Sequence, residues 1–280
     1  TRVSSIDLSA VTGLTSIGYF AFCNSGESNE VLTSVVFPAG ENVAYTIGAS
    51  AFEKCTSIAG SIDLSGCTSI GDKAFYDCEG ITGSINLSNC NQIGDNAFHY
   101  CPFITSVTWS NSMTDIPNQC FSSCFRLNTF NSSTPGIIDL SKITSIGDWA
   151  FSSCFQTNAN GGSNRVSVVF PTDRPYTIGE HAFGGGTSGI TGSVNLSACT
   201  SVGNAAFREC KGITGDIDLS SCASVGNAAF YGCTGIAGSL NLSACTSVGD
   251  NAFDGCKGIA GAIDLSSCNS IGDKAFYQLP

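Results

Sequence analysis

Short runs of alternating apolar and polar residues recur along the whole chain. In Ser61-Ile62-Asp63-Leu64-Ser65 the apolar side chains occupy every second position. This alternation is typical of a half-buried β-strand, with Ile62 and Leu64 turned inward and Asp63 turned outward. We predict eleven such strands, centred on residues 7, 36, 63, 86, 108, 139, 169, 195, 218, 241 and 264.

A second phrase, built around an Ala-Phe pair, separates the strands. It reads IGDKAFYDC at residues 70–78 and IGDNAFHYC at residues 93–101, a period of 23 residues. We predict a short helical turn that places Ala74 and Phe75 in the core, with the carboxylate of Asp72 capping its backbone N–H groups. The same capping slot holds Asp95, Asp148, Asn204, Asn227, Asp250 and Asp273.

A single repeat is too small to fold alone. Its few buried apolar side chains cannot offset the conformational entropy lost when its backbone is ordered. Successive repeats must stack into a solenoid with one continuous core, and a period of 23 residues lies in the leucine-rich-repeat range. We therefore predict an α/β repeat solenoid over residues 1–280. A parallel sheet of about eleven short strands forms its concave face, and the short helical turns form its convex face.

The repeats fall into two similar blocks. Strand centres 7, 36, 63 and 86 correspond to 139, 169, 195 and 218, at offsets of 132, 133, 132 and 132 residues. The irregular segments 37–48 and 170–179 both begin with Phe-Pro and end with Tyr-Thr-Ile-Gly. We interpret the single domain as a tandem duplication, with blocks at about 1–131 and 132–280.

The phrase IGxxAFxxC followed by a short strand resembles the BspA-like leucine-rich repeats, and the resemblance covers nearly the whole chain. The resemblance implies a right-handed superhelix with a parallel sheet. It also implies a secreted or cell-surface protein, because members of this family are found on host-associated bacteria and some protists. Some of them act as adhesins toward host matrix proteins or other cells. The family has no catalytic motif to carry over to this chain.

Composition and charge narrow the classes of partner. Only 12% of residues are charged and the net charge is −11. A negative surface repels phosphate backbones and anionic lipids, so we expect neither nucleic-acid binding nor peripheral membrane binding. No apolar run is long enough for direct membrane insertion. The chain opens on Thr1-Arg2 without an apolar signal segment, so we expect a cytosolic protein or a mature or trimmed fragment.

The sixteen cysteines form two columns at repeat spacing, with Cys23 and Cys120 outside both. No C-x-x-C pair occurs, so we expect no metal site. We favour buried free thiols that pack as small apolar side chains, while disulfides between neighbouring coils remain the alternative. One column holds Cys55, Cys78, Cys101, Cys124, Cys154, Cys210, Cys233 and Cys256; the other holds Cys67, Cys90, Cys199, Cys222, Cys245 and Cys268.

Candidate catalytic chemistry is sparse. The two histidines, His99 and His181, lie in variable positions around the Ala-Phe pair, and Cys101 near His99 belongs to a core column. No phosphate-binding, dinucleotide or hydrolase motif is present, and we expect neither catalysis nor a cofactor.

The outward central positions of the strands form the best candidate for a binding surface, which we call the Asx strip. No two Asp are adjacent along it, which avoids repulsion between neighbouring strands. The strip is either a solvated polar face or a weakly acidic surface for a basic or hydrogen-bonding protein partner. It lacks an aromatic platform, so support for a glycan is weak. The candidate binding residues are Asp7, Asp63, Asn86, Asp139, Asn195, Asp218, Asn241 and Asp264.

Two further surfaces compete with the strip. Tyr76, Tyr100, Tyr231 and Tyr277 could form a contact stripe on the convex side. The insertions 23–33 and 155–165 are rich in Asn, Gly and Ser and recur in both blocks, and repeat-specific insertions often carry recognition. We interpret the Asn-x-Ser sequons at Asn86, Asn131, Asn195 and Asn241 as coincidental, because three of them lie in predicted strands.

These observations favour a non-catalytic protein-protein interaction or adhesion module of a secreted or cell-surface protein, which binds a host or neighbouring-cell partner. The alternative is a structural spacer or surface-coat repeat domain without a tight ligand. An enzyme is the least favoured class.

Overall fold

The computed structural model of the chain describes residues 3–11, 13–24, 32–40, 43–156, 164–185 and 189–279. Within them the chain forms 21 short β-strands, and neither an α-helix nor a 3₁₀ helix occurs in these ranges. The predicted insertions 23–33 and 155–165 lie largely outside the described residues. The predicted repeat architecture with parallel strands is confirmed.

The strands stack in two parallel ladders. The first ladder holds eight of the predicted alternating segments and two further short strands, β10 and β20. Its members are β1 (Ser5–Asp7), β3 (Ser34–Val36), β6 (Thr82–Asn86), β8 (Phe103–Thr108), β10 (Thr129–Phe130), β11 (Ile137–Asp139), β13 (Ser167–Val169), β16 (Gly215–Asp218), β18 (Ile236–Asn241) and β20 (Gly258–Ile259). The second ladder contains β2 (Ser16–Ile17), β4 (Tyr45–Ile47), β5 (Cys67–Ile70), β7 (Gln92–Ile93), β9 (Asp115–Ile116), β12 (Ser145–Ile146), β14 (Tyr176–Ile178), β15 (Cys199–Val202), β17 (Ser224–Val225), β19 (Ser247–Val248) and β21 (Ser270–Ile271).

The sequence prediction located most of the first ladder and missed the second. Eight of the eleven predicted centres fall in strands, whereas those at 63, 195 and 264 do not. Pairing is limited to isolated bridges, at Gly60 before residue 63 and at Ile190 and Gly192 before residue 195. Both segments follow an irregular coil that contains a proline after its strand, Pro38 or Pro171. The predicted alternation still holds at the first of these segments, because Ile62 and Leu64 are buried and Asp63 is exposed.

The expected helical turns are absent from the described residues, and hydrogen bonding explains why. The N–H groups of Lys73, Phe75 and Asp77 donate to carbonyl oxygens of the next coil rather than within their own turn. Lys73 and Asp77 have φ of 55° and 57°, a left-handed conformation that interrupts any helix. The turns therefore form a further set of coil-to-coil hydrogen bonds, and the fold is built from strands and turns alone.

The proposed helix cap at Asp72 is likewise wrong. Its carboxylate accepts the N–H of Asp95, the equivalent residue of the next coil, at 3.0 Å. Asp95 accepts the N–H of Asn118 in the same way at 3.0 Å. We call this row the corner ladder. Its other bonds join Asn118 to Asp148, Asp148 to Glu180, Asn204 to Asn227, Asn227 to Asp250 and Asp250 to Asp273, at 2.7–2.8 Å.

A continuous stack of phenylalanine rings lies along the core. Successive ring centroids are 5.1–5.8 Å apart, and all ten neighbouring pairs are stacked. One ring comes from each Ala-Phe phrase and one from Cys120-Phe121. The rings are Phe22, Phe52, Phe75, Phe98, Phe121, Phe151, Phe183, Phe207, Phe230, Phe253 and Phe276.

All sixteen cysteines are free thiols, and all but Cys23 and Cys268 are buried. In the first column each thiol donates to the carbonyl oxygen of the Phe in the preceding coil, as Cys78 does to Phe52 at 3.1 Å. In the second column most thiols donate to the Ser two residues on, as Cys222 does to Ser224 at 3.0 Å. The thiols are therefore both apolar filler and weak hydrogen-bond donors to the backbone.

Candidate interaction surfaces

The first ladder holds five of the eight candidate residues of the Asx strip, whereas Asp63, Asn195 and Asp264 lie outside its strands. Asn86 pairs with Thr108, Asp139 with Val169, and Asp218 with Asn241. The strip side chains differ in exposure: Asn86, Asp139 and Asp218 are half-buried, and the others are exposed. The exposed members are Asp7, Asp63, Asn195, Asn241 and Asp264.

Every candidate residue of the strip also closes a local turn. In each case a side-chain oxygen accepts the backbone N–H of the serine two residues on, at 2.9–3.2 Å. This is an Asx turn, which directs the chain out of the strand. Where the strip holds Val36 and Val169, the residue two positions on is Pro38 or Pro171, which has no N–H to donate. At these two positions an Asp or Asn side chain would therefore find no backbone N–H to close the turn.

Hydrogen bonding lowers the pKa of two strip carboxyls. The hydroxyl and then the backbone N–H of Ser9 lower the pKa of Asp7 below its ordinary value. The backbone N–H of Ser266, with its hydroxyl, does the same for Asp264. Both groups are therefore negatively charged at neutral pH. Val36 and Val169, 45% and 43% exposed, are apolar interruptions in an otherwise polar row.

A second surface was not predicted from the sequence. We call it the corner groove, a cleft of about 630 Å³ that runs along the second ladder over several coils. One side is a row of hydroxyls, in which Ser201 Oγ and Ser224 Oγ are 3.2 Å apart. The other side is the corner ladder, with the acids Asp148, Glu180 and Asp250. Among the described residues no lysine or arginine lines the cleft.

Glycines make the floor of the corner groove possible. A Cβ on Gly226 would lie 2.6 Å from the backbone nitrogen of Asn204, so a side chain would force the coils apart. The close approach lets the Asn204 side chain reach the N–H of Asn227 at 2.8 Å. The Ile/Val-Gly-Asp/Asn phrase thus places a glycine before most corner residues for coil contact, whereas Asn118 follows Pro117.

Three of the four tyrosines of the predicted convex stripe contact different neighbouring side chains. Tyr76 stacks on His99 at 5.0 Å, and Tyr100 meets Phe125 edge-on at 6.0 Å. Tyr231 lies beneath the guanidinium of Arg208 at 5.3 Å. Each ring is thus engaged with a different neighbour on the turn side.

The histidines are placed against aromatic rings. Burial lowers the pKa of His99, which stacks on Tyr76. His181 stacks on Trp149 at 3.9 Å, and burial lowers its pKa too. The Cys101 thiol donates to the carbonyl oxygen of Phe75 at 3.2 Å. That thiol is engaged with the backbone, and burial raises its pKa to about 12.

Comparison with known proteins gives the family. A model of the BspA type leucine rich repeat region, in six copies, matches residues 15–158 and 156–280. The chain belongs to the BspA-type leucine-rich repeat family. This membership suggests a protein-interaction or surface module, and the family is generally non-catalytic.

Solved bacterial leucine-rich repeat proteins resemble this BspA-type chain. A leucine-rich cell surface protein from Faecalibacterium prausnitzii A2-165 is 22% identical, with a TM-score of 0.46 over 98% of this chain and 88% of that one. A leucine-rich repeat protein from Bacteroides ovatus is 20% identical, with a TM-score of 0.44 over 94% and 80%. One from Eubacterium ventriosum is 14% identical, with a TM-score of 0.42 over 94% and 88%. No curated protein matches the chain.

The described part of this BspA-type chain contains no group of three or more His, Cys, Asp or Glu side chains arranged to hold a metal ion. None of its described segments forms a helix with the length and apolar character needed to cross a bilayer.

Proposed function

We propose that this chain is a non-catalytic binding module of a secreted or cell-surface protein, and that it attaches to a host protein or a neighbouring cell through the Asx strip. The observation that supports the proposal is the row of eight acceptor side chains, each fixed by its own Asx turn. Fixed side chains lose little conformational entropy when a partner binds. Membership of a family of surface-type repeats supports the location.

The charge of the strip indicates a basic partner surface. Five of the eight candidate residues are Asp, and the whole chain has a net charge of −11. Such a field accelerates encounter with a positively charged partner and weakens as salt is added. Val36 and Val169 add two exposed apolar contacts to the same face.

The turns also permit a test that removes charge without removing structure. Asparagine already occupies the strip at positions 86, 195 and 241, with the same turn hydrogen bond. A variant with Asp63, Asp139, Asp218 and Asp264 changed to Asn therefore loses four charges and keeps its acceptors. We expect saturable, micromolar or tighter binding of the unaltered chain to at least one of fibrinogen, fibronectin and laminin, measured by biolayer interferometry. The variant should bind that protein at least tenfold more weakly.

The corner groove provides a matched control. Changing Asp148 to Asn, Glu180 to Gln and Asp250 to Asn removes three charges from a row that already holds Asn204 and Asn227. Binding that survives this change and is lost in the strip variant supports the strip. Binding that is lost in the corner-groove variant and survives in the strip variant would instead place the binding site in the corner groove.

A structural spacer is the second candidate function. It is favoured by one observation, namely that each candidate strip residue already has a structural role in its turn. The adhesion module and the spacer predict different binding of the unaltered chain to the panel proteins. If it binds no member of the panel at low salt, the spacer replaces the adhesion module.

A further inference from the structure

A pocket on the turn side of the fold is separate from the Asx strip and the corner groove. Its volume is about 230 Å³, and it is formed by the turns that follow four consecutive rings of the phenylalanine stack. We call it the turn pocket. Its lining includes Glu209, Lys211, Tyr231, Asp254 and Lys257.

Two glycines open the turn pocket. Gly232 and Gly255, which line it, occupy the position at which Tyr100 stands in another coil. A Cβ on Gly255 would meet the Cα and the nitrogen of Gly232 at 3.6 and 3.7 Å, which are ordinary van der Waals distances. The coils are therefore not packed more closely where these side chains are missing, and a recess remains between the turns.

Asp254 is a buried acid that lines the turn pocket without a protein partner. It is 8% exposed, and among the described residues no other charged side chain is buried. Within the described ranges its carboxylate takes part in no hydrogen bond and no ion pair. Burying a charge is unfavourable unless the charge is paired or hydrogen-bonded. A cationic group bound in the pocket would supply the missing partner.

The other charges of the turn pocket define the second end of a ligand. Lys211 Nζ lies 3.6 Å from a carboxylate oxygen of Glu209, so these two side chains pair with each other. Lys257 lies three residues after Asp254 and is exposed, and in the described part of the chain it pairs with no acid. The pocket thus offers one unpaired carboxylate on its buried side and one unpaired ammonium on its exposed side.

We propose that the turn pocket binds a small zwitterion of the lysine type, whose ammonium pairs with Asp254 and whose carboxylate pairs with Lys257. The aliphatic chain between the two charges lies beside the Tyr231 ring, which also lines the pocket. A volume of about 230 Å³ suits such a ligand, since pockets for drug-sized molecules measure roughly 300–1,000 Å³. The site lies outside the Asx strip, so the proposal is independent of the proposed function.

A series of three ligands on the unaltered chain tests the proposal. They are 6-aminohexanoate, hexylammonium and hexanoate, which carry both charges, only the positive charge or only the negative charge. Binding is measured at low salt by ligand-detected NMR titration. We expect 6-aminohexanoate to bind saturably with a Kd in the millimolar range or tighter, and each singly charged ligand to bind at least tenfold more weakly. No binding of 6-aminohexanoate, or equal binding of all three ligands, overturns the proposal.

The same chemistry is offered by a free amino acid and by the carboxyl-terminal lysine of a protein. L-Lysine and Nα-acetyl-L-lysine distinguish these two sources, because acetylation removes the α-ammonium as a peptide bond does. Weaker binding of the acetylated compound would indicate a free amino acid, and equal or tighter binding a carboxyl-terminal lysine. If neither compound binds, the lysine-type ligand is wrong.

Two variants test the role of Asp254. Asp254→Asn removes the charge at nearly constant side-chain size and should weaken the binding of 6-aminohexanoate at least tenfold. Asp250→Asn is the matched control, because it removes one negative charge from the same coil but lies in the corner groove. It should change binding by less than about twofold. Equal losses in the two variants overturn the proposal, and the ligand series decides it should Asp254→Asn not fold.

Lys257→Met tests the exposed end of the site. It should weaken 6-aminohexanoate to the level of hexylammonium, because the ligand carboxylate loses its partner. Tighter binding by this variant would show that Lys257 folds onto Asp254 in the unaltered chain and competes with the ligand, which overturns the proposal.

Discussion

Asp and Asn are interchangeable in the Asx strip because the turn uses only a side-chain oxygen. Asp218 accepts the N–H of Ser220 at 3.0 Å, and Asn241 in the next coil accepts that of Ser243 at 3.2 Å. A serine two residues after an asparagine is also the sequon for N-glycosylation. The sequons at Asn86, Asn195 and Asn241 therefore follow from turn chemistry, which supports their interpretation as coincidental.

The turn hydrogen bond makes a prediction for stability at Asp218. Asp218→Ala removes the acceptor of the Ser220 N–H and should lower the free energy of unfolding by about 1 kcal/mol. Asp218→Asn keeps the acceptor and should change it by less than about 0.5 kcal/mol. Urea unfolding followed by circular dichroism measures both. Equal losses in the two variants would mean that charge, and not the turn, stabilises this position.

At the scale of elements, strand segments with clear alternation were predictable and the rest were not. The second ladder was missed because its strands are mostly two to four residues long, too short for a period of two to be visible. The turns were mistaken for helices because Ala-Phe spacing alone does not reveal a left-handed residue such as Lys73. Asn96 and Asn251 in the slot of Lys73, and Gly232 and Gly255 in the slot of Asp77, are local signals, since Asn and Gly tolerate this conformation.

Strand pairing is completed by a side chain where the first ladder bulges. Between β16 and β18 the register shifts after Gly215. There the Asp216 carboxylate accepts both the backbone N–H and the hydroxyl of Ser239, at 2.6 and 2.8 Å. At the corresponding bulge of the first block, Ser84 and Ser106 are joined by a hydroxyl bond of 2.6 Å.

The contact between Asp216 and Ser239 predicts that the stability of the fold depends on pH. The backbone N–H and then the hydroxyl of Ser239 lower the pKa of Asp216 below its ordinary value. Since the folded-state pKa lies below the unfolded one, the carboxylate stabilises the fold above its ordinary pKa, and this stabilisation is lost as the pH falls through the folded-state value. The Tm of the unaltered chain should exceed that of Asp216→Ser at pH 6, with the difference shrinking toward pH 3. A difference that stays constant over this range would contradict the assignment.

At the scale of the whole molecule, the sequence predicted the stacking order and one of the two surfaces. The Asx strip could be derived because its eight residues share one position in the alternating sequence segments. The corner groove could not be derived from the sequence. In each coil its hydroxyl, glycine and acidic residues lie only one or two positions apart, and they line a cleft only when several coils stack. The Asx turns were not predicted, although Asp/Asn-Leu-Ser is their signature.

The phenylalanine stack determines how far the loss of one core side chain destabilises the neighbouring coils. Phe121 lies between Phe98 and Phe151, 5.8 Å from each, and also meets Trp109 and Phe130 edge-on. Because each coil contacts only its neighbours, a cavity here weakens two coil interfaces directly. Phe121→Ala should cost about 3–5 kcal/mol. Phe276→Ala, at the partly buried last ring of the stack, should cost less because it has one stacked neighbour, Phe253.

Hydrogen exchange read by mass spectrometry distinguishes local from global loss. In Phe121→Ala, amides between about residues 98 and 151 should exchange faster, while those of the outer coils, such as residues 225–253, keep their protection. The reason is that the outer coils retain their own stacked rings and both of their ladders. Faster exchange along the entire chain would instead show that all coils unfold as one cooperative unit, as in a compact globular domain. The extent of the fast region therefore measures how far cooperativity reaches along the stack.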